Sequence, residues 1–135
     1  MSKYLDKAKE LRACTERHYN CAQGVVCCFA EDLGVPEDMA YRLAANFGGG
    51  MKMGATCGAV TGCLMTLGIA GIKDVSVLHD VYRQVKENHE GYLNCADLLR
   101  LNAERGGDKP VHCNNMVFEL TEITEDILRK QGKIG

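Results

Sequence analysis

The sequence lacks a strong excess of charge of either sign, and this absence excludes two classes of binding partner. Its 135 residues carry a net charge of -2, and the isoelectric point is near 6.1. Proteins that bind nucleic acid or anionic membranes electrostatically present clusters of Lys and Arg. We therefore expect no nucleic acid partner and no binding to an anionic membrane surface.

Long apolar runs are also missing. The opening stretch, MSKYLDKAKELRAC, is charged and lacks the apolar segment that a signal peptide requires. Residues 56–70 are apolar or small on every face, but the stretch is too short and too rich in Gly and Thr for a membrane span. The sequence therefore predicts a cytoplasmic protein without membrane insertion.

Alternating apolar and polar residues, the pattern of a half-buried strand, are scarce, and no low-complexity run or domain linker divides the chain. The segments between Gly and Pro residues have helical periodicity instead. With 46% hydrophobic residues the chain is long enough to form a core without disulfides. We predict one all-α domain over residues 1–135, made of six or seven short helices around a central Gly/Ala-rich helix.

Capping residues and periodicity set the expected helix boundaries. Asp74 suits an N-cap, and Gly34 suits the left-handed position that ends a helix. The segment at 56–70 has no polar face, so the other helices should surround it. We predict helices at residues 2–17, 21–33, 36–47, 56–70, 74–90, 95–103 and 114–130.

Cysteine, in contrast, is abundant, with eight in the chain. In a reducing compartment such a number favours metal binding or thiol chemistry over structural disulfides. Half of them lie inside predicted helices, and a free cysteine packs as a small hydrophobic residue. We assign these four to the core: Cys14, Cys27, Cys28 and Cys63.

The other four cysteines lie at predicted helix starts. The first turn of a helix exposes unpaired N–H groups and the positive end of the helix dipole, which favour a thiolate over a thiol. Three of the four follow a capping residue, and the fourth stands just before the last helix, as Asn20-Cys21, Thr56-Cys57, Asn94-Cys95 and Cys113-Asn114. These cysteines are the candidates for ligation or reaction.

Glycines recur every four residues around one of these thiols, at Gly54, Gly58 and Gly62. On a helix this spacing makes one smooth face against which another backbone can pack closely. Gly58 also leaves the N–H groups beside Cys57 uncovered, so we include Gly58 among the cofactor-binding candidates. Close packing alone and access to the thiol both remain open.

Three functions are compatible with this arrangement. The four cysteines are too far apart in sequence for local C-x-x-C motifs, so they can meet only through tertiary structure. We predict first that the four thiolates hold an iron–sulfur cluster, or less favourably zinc, for electron transfer or sensing, with helix N-termini offsetting the excess negative charge. The alternatives without a cofactor are a thiol–disulfide oxidoreductase and a helical interaction module with packing cysteines. No nucleophile–base set or carboxylate pair indicates hydrolysis.

Two neighbours of the cysteines are weaker candidates. His112 could serve as a ligand or proton donor, although a single histidine before a helix is more often a surface residue. The run FGGGMKMG, residues 47–54, lacks the GK[ST] ending of a phosphate-binding loop. We interpret it as a flexible approach that lets Cys57 reach its partners.

The order of the motifs is similar to that of a known family. A cysteine, then the run CGAVTG at residues 57–62, then two further cysteines resembles the small redox-active proteins named for a C…CGAxxG…C…C pattern. The resemblance covers nearly the whole chain and includes the NCAQ and FGGGM segments. It implies redox activity with an unidentified partner protein, and it places the family's cysteines on Cys21, Cys57, Cys95 and Cys113.

Overall fold

Helices make up nearly all the regular structure of the protein. The computed structural model describes residues 2–135, and within that range no strand occurs. A 3-10 turn at Glu31–Leu33 and a turn at Gly50–Gly54, whose backbone angles are not those of a right-handed helix, supplement the α-helices. The α-helices are α1 (Lys3–Ala13), α2 (Cys21–Phe29), α3 (Glu37–Leu43), α4 (Gly58–Ile69), α5 (Val75–Asn88), α6 (Cys95–Glu104) and α7 (Lys109–Lys130). The all-α prediction is confirmed.

Helix α4 lies at the centre of the fold, as its uniformly apolar pattern predicted. Ala59, Val60, Cys63 and Leu67 are each 0% exposed. Helices α2, α5 and α7 pack against α4. Burial of a large apolar side chain stabilises a protein by about 1.5–3 kcal/mol. The buried side chains of α4 therefore contribute to the stability of the core.

Two glycines allow α4 to pack closely against neighbouring backbone. A Cβ atom at Gly62 would lie 2.7 Å from the Ala22 carbonyl oxygen, and one at Gly58 would lie 2.9 Å from the Phe47 carbonyl oxygen. Both distances are shorter than real Cβ contacts, so the predicted smooth face is confirmed for these two positions. Gly54 is an exception, because it lies before the helix with a φ of 71°.

Asn20, the N-cap of α2, makes more hydrogen bonds than Asn94, the N-cap of α6, although both helices start with the sequence Asn-Cys-Ala. Asn20 and Gln23 form a reciprocal capping box, with both side-chain to backbone hydrogen bonds at 2.8 Å. The Asn20 amide also donates to the Ala44 and Ala45 carbonyls. Asn94 precedes α6 in the same way but makes no side-chain capping bond. The start of α2 is therefore fixed by more hydrogen bonds than the start of α6, although both have the sequence Asn-Cys-Ala.

Several helix boundaries differ from the prediction. Helix α1 ends at Ala13 instead of Arg17, and α2 ends at Phe29, where the 3-10 turn takes over. The last helix begins at Lys109, five residues before the predicted start at Asn114, and its 22 residues make it long. Pro110 sits within its first turn, where the missing N–H costs no hydrogen bond. No helix of residues 2–135 combines the length and apolarity that crossing a bilayer would need.

Candidate functional site

The structure brings the four cysteines of the predicted site to one cavity of about 690 Å³. Each comes from a different helix: Cys21 is the first residue of α2, Cys57 directly precedes α4, Cys95 is the first residue of α6 and Cys113 lies in the second turn of α7. The position of Cys113 corrects the prediction that it precedes the last helix. Among residues 2–135, no three Cys, His, Asp or Glu side chains are placed to share a metal ion.

Backbone hydrogen bonds hold two of these cysteines beside each other. Thr56 and Asn94 form an isolated antiparallel bridge. The Cys57 amide donates to the Leu93 carbonyl at 2.9 Å, and the Cys95 amide donates to the Ala55 carbonyl at 2.7 Å. The start of α4 and the start of α6 are thereby fixed together at the cavity wall.

Cys21 and Cys113 line the same cavity, and each thiol affects the pKa of the other. The hydrogen bond from the Cys21 thiol lowers the pKa of Cys113 to about 6, with the positive charges of Arg12 and Lys109 acting in the same direction against burial. The same hydrogen bond, followed by burial, raises the pKa of Cys21. Of the two thiols, Cys113 is therefore the more readily ionised.

Arg12 is a site residue that the sequence analysis missed. Its Nε donates to Asn114 Oδ1 at 2.7 Å and its Nη1 donates to the Tyr19 carbonyl at 2.8 Å. A Cβ at Gly24 would lie 3.1 Å from Arg12 Cδ, so glycine leaves room for the arginine stem. Arg12 reaches the cavity only through the packing of α1 on α2 and α7, and no motif in α1 signals this role.

Burial dominates at the other two cysteines of the cavity. Burial raises the pKa of Cys57 to about 11, although the N–H groups of Ala59 and Val60 act to lower it. Burial also raises the pKa of Cys95. The helix start thus acts on Cys57 in the expected direction but is outweighed, and both thiols are protonated at neutral pH.

A left-handed turn stands where the sequence analysis expected a flexible approach to Cys57. Gly49, Gly50, Met51 and Lys52 have φ values of 63°, 62°, 59° and 59°. Left-handed backbone costs about 1–2 kcal/mol for each residue with a side chain, so Met51 and Lys52 are strained. A Cβ at Gly50 would lie 2.4 Å from the Ala55 carbonyl oxygen. The turn places Lys52 at the cavity.

The remaining lining residues make the cavity cationic and partly apolar. Lys52 and Lys109 join Arg12 in the lining, which contains no Asp or Glu. His112 also lines the cavity, and burial lowers its pKa. A neutral imidazole is therefore the favoured form at neutral pH, and the structure gives His112 no other distinguishing contact.

Of the four cysteines that were assigned to the core, three are buried and one is exposed. Cys27, Cys28 and Cys63 are buried, which confirms their assignment. Burial raises the pKa of Cys27 to about 12 and of Cys63 to about 11. Such thiols are poor nucleophiles at neutral pH. Cys14 was wrongly assigned, because α1 ends at Ala13 and leaves Cys14 exposed.

One family model matches this chain. Its description is Putative redox-active protein (C_GCAxxG_C_C), and it matches residues 19–127. All four cavity cysteines fall within that range. The family's name contains GCAxxG, not the CGAxxG expected in the sequence analysis, and residues 57–62 of this chain read CGAVTG. No significant match was found among curated proteins or solved structures.

Proposed function

This chain belongs to the family described as Putative redox-active protein (C_GCAxxG_C_C), and from that premise we propose that it is a thiol–disulfide redox protein in which Cys113 and Cys21 react. One observation carries the proposal. Cys113 and Cys21, from the packed helices α7 and α2, line one open cavity, and the Cys21 thiol lowers the pKa of Cys113 to about 6. A thiol of lowered pKa beside a second thiol is suited to attack a disulfide and then to pair with its neighbour.

Cys113 is the attacking thiolate in the proposed reaction. It attacks one sulfur of a substrate disulfide, whose S–S bond breaks, and the departing half takes a proton from water. Cys21 then attacks Cys113 Sγ in the mixed disulfide and passes its proton to the second departing half. Two electrons leave the protein, and the products are a Cys21–Cys113 disulfide and two substrate thiols.

The surroundings suit each cysteine to its step. The positive charges of Arg12 and Lys109 stabilise the Cys113 thiolate before the attack. Cys21 keeps its proton until Cys113 enters the mixed disulfide, at which point the hydrogen bond that holds this proton is lost. A dithiol protein or a low-molecular-weight thiol would return the pair to the reduced state. We include a cytoplasmic location in the proposal, since reducing conditions support such a cycle.

Mass spectrometry of disulfide-linked peptides after mild oxidation tests this proposal. Fully reduced protein is treated with one equivalent of 2-hydroxyethyl disulfide without oxygen, and the remaining thiols are alkylated before digestion. We expect a Cys21–Cys113 linkage and the loss of two thiols. Cys113→Ser should abolish the linkage, whereas Cys63→Ala, a core change away from the cavity, should preserve it. Another pairing, or none, would contradict the proposal.

The second candidate function is electron transfer by an iron–sulfur cluster on Cys21, Cys57, Cys95 and Cys113. The observation that favours it is that all four line a single cavity without a carboxylate. Thiolates are the usual ligands of such clusters, which supply one-electron transfer when bound. Zinc fits these residues less well, because no three suitable side chains of residues 2–135 are placed to share one ion. We rank thiol chemistry first because the pKa of Cys113 is lowered while the pKa values of the other three cavity cysteines are raised.

Anaerobic purification separates the two functions. Cluster binding predicts a coloured protein that contains iron and acid-labile sulfide, and Cys57→Ser should remove both. The thiol function predicts a colourless protein in which Cys57→Ser still forms the Cys21–Cys113 disulfide. Cys27→Ala is the matched control, since Cys27 is buried outside the cavity and should be silent in both assays.

A further inference from the structure

The positive charges of the cavity have no carboxylate partners. Arg12, Lys52 and Lys109 line the cavity, and none of them is in an ion pair within residues 2–135. Carboxylates of the same range do pair with several other Lys and Arg side chains, as in Lys7–Glu37 at 2.9 Å. The three charges are therefore available to an anion that enters from solution.

The charges are arranged along the depth of the cavity. Arg12 is half-buried and held in place by Asn114 and the Tyr19 carbonyl. Lys52 and Lys109 are exposed at the rim. An entering anion would meet the flexible lysines first and the fixed guanidinium beside the thiol pair afterwards. Such an arrangement raises the local concentration of negatively charged molecules.

The size and walls of the cavity suit a small organic molecule. Its volume of about 690 Å³ lies within the range of roughly 300–1,000 Å³ that small-molecule sites occupy. Leu98, Leu99 and Met116 also line it and offer apolar contact to methylene groups. The cavity therefore combines a thiol pair, cations and apolar walls.

We propose that the substrate is a low-molecular-weight disulfide that carries carboxylate groups near its sulfurs. This inference rests on the proposed thiol–disulfide function and specifies its substrate class. The carboxylates bind at Lys52, Lys109 and Arg12, which brings one substrate sulfur to Cys113. The reaction then follows the two steps given above, and two carboxylate-bearing thiols leave.

Three matched disulfides of different charge test the inference. They are 3,3'-dithiodipropionate, which is anionic, 2-hydroxyethyl disulfide, which is neutral, and cystamine, which is cationic. We expect the anionic reagent to form the Cys21–Cys113 disulfide fastest and cystamine slowest, with about a tenfold difference or more at low salt. The difference should shrink at about 0.5 M salt because screening weakens the attraction. Equal rates, or a faster reaction with cystamine, would overturn the inference but leave the thiol function intact.

Alkylation distinguishes a cavity that does not select anions from failure of the thiol function itself. If no reagent yields the Cys21–Cys113 disulfide, the thiol function is wrong. The rate ratio of iodoacetate to iodoacetamide at Cys113 still reports anion selection, since the two reagents differ mainly in charge. Exposed Cys14 is the internal reference. A ratio at Cys113 no higher than that at Cys14 would show that the cavity does not select anions.

A charge variant locates the effect in the cavity. Lys52→Gln should lower the iodoacetate to iodoacetamide ratio at Cys113 by about two- to threefold at low salt. Using the ratio cancels any change in the thiolate fraction. Lys73→Gln removes the same charge from an exposed position outside the cavity and should leave the ratio unchanged. Equal effects of the two variants would show that only net charge matters.

Discussion

Thr56 and Asn94 pair across an isolated antiparallel bridge, and the residue that follows each of them is a cysteine of the cavity. The bridge fixes Cys57 and Cys95 through backbone hydrogen bonds instead of through their sulfur atoms. Substituting either sulfur therefore leaves the frame of the site in place. A loss of redox activity or of cofactor binding in such variants can therefore be assigned to the missing thiol.

Cys57→Ser should leave the protein equally stable or make it more stable. Cys57 is the N-cap of α4, and no side-chain capping bond is present there. Serine is among the preferred N-cap residues, and such a cap contributes about 0.5–2 kcal/mol relative to alanine. Urea unfolding should show a free energy of unfolding at or above that of the wild type for Cys57→Ser and a lower value for Cys57→Ala. A large loss with serine would show that the sulfur is needed for packing.

The reactivity of Cys113 should depend on pH at an unusually low value. Its lowered pKa, about 6, follows from the Cys21 hydrogen bond, Arg12 and Lys109. The thiolate reacts and the thiol does not, so the alkylation rate falls as pH drops through the pKa. We expect the iodoacetamide rate at Cys113 to be half-maximal near pH 6 and that at an ordinary thiol near pH 8.5. Cys21→Ala, which removes the donor, should raise the Cys113 midpoint, because the Cys21 thiol is the largest cause of the lowered pKa.

Removing the charge of Arg12 should raise the pKa of Cys113. The guanidinium favours the thiolate, so Arg12→Gln should slow alkylation of Cys113 at pH 6.5 by about two- to tenfold. Arg12→Lys keeps the charge but loses the paired hydrogen bonds to Asn114 and the Tyr19 carbonyl, so an intermediate rate is expected. Arg42→Gln is the control, since Arg42 is exposed and outside the cavity lining. A wild-type rate in Arg12→Gln would exclude the electrostatic role.

Gly62→Ala should destabilise the fold. Its new Cβ would lie 2.7 Å from the Ala22 carbonyl oxygen, which is backbone and cannot rotate away. Overpacking of this kind costs about 1–3 kcal/mol. Gly68→Ala in the same helix is the matched control, because nothing lies within 4 Å of its Cβ, and alanine should stabilise the helix by about 0.5–1 kcal/mol. Thermal unfolding should move in opposite directions for the two variants.

Local signals were sufficient for most of the fold. Asp74 precedes α5 with the extended backbone of an N-cap, although its side chain makes no capping bond, and Gly34 takes the left-handed conformation that ends the turn after α2. The start of α7 was misplaced because GGDKP reads as a loop. Asp108 nevertheless has the extended backbone of an N-cap, and Pro110 suits the first turn that follows.

The cysteines that form the site could be predicted from the sequence, but the ease with which each of them ionises could not. The cysteine quartet could be selected from helix starts and family resemblance, but the ranking of its members depends on tertiary contacts. Arg12 acts on Cys113 from about one hundred residues away in the sequence, as its hydrogen bond to neighbouring Asn114 shows. The helix start at Cys57 was expected to favour a thiolate, yet burial has the larger effect. Neither the effect of Arg12 on Cys113 nor the effect of burial on Cys57 can be predicted from the neighbouring residues in the sequence.

The origin of the four cavity cysteines in four separate helices has a consequence for biosynthesis. Cys113 is the last cysteine of the chain to be made. Until residue 113 has been made and α7 has packed on α2, Cys21 lacks the partner that the proposed disulfide requires. In the proposed thiol function, oxidation can therefore give the Cys21–Cys113 pair only after nearly the whole chain has been synthesised.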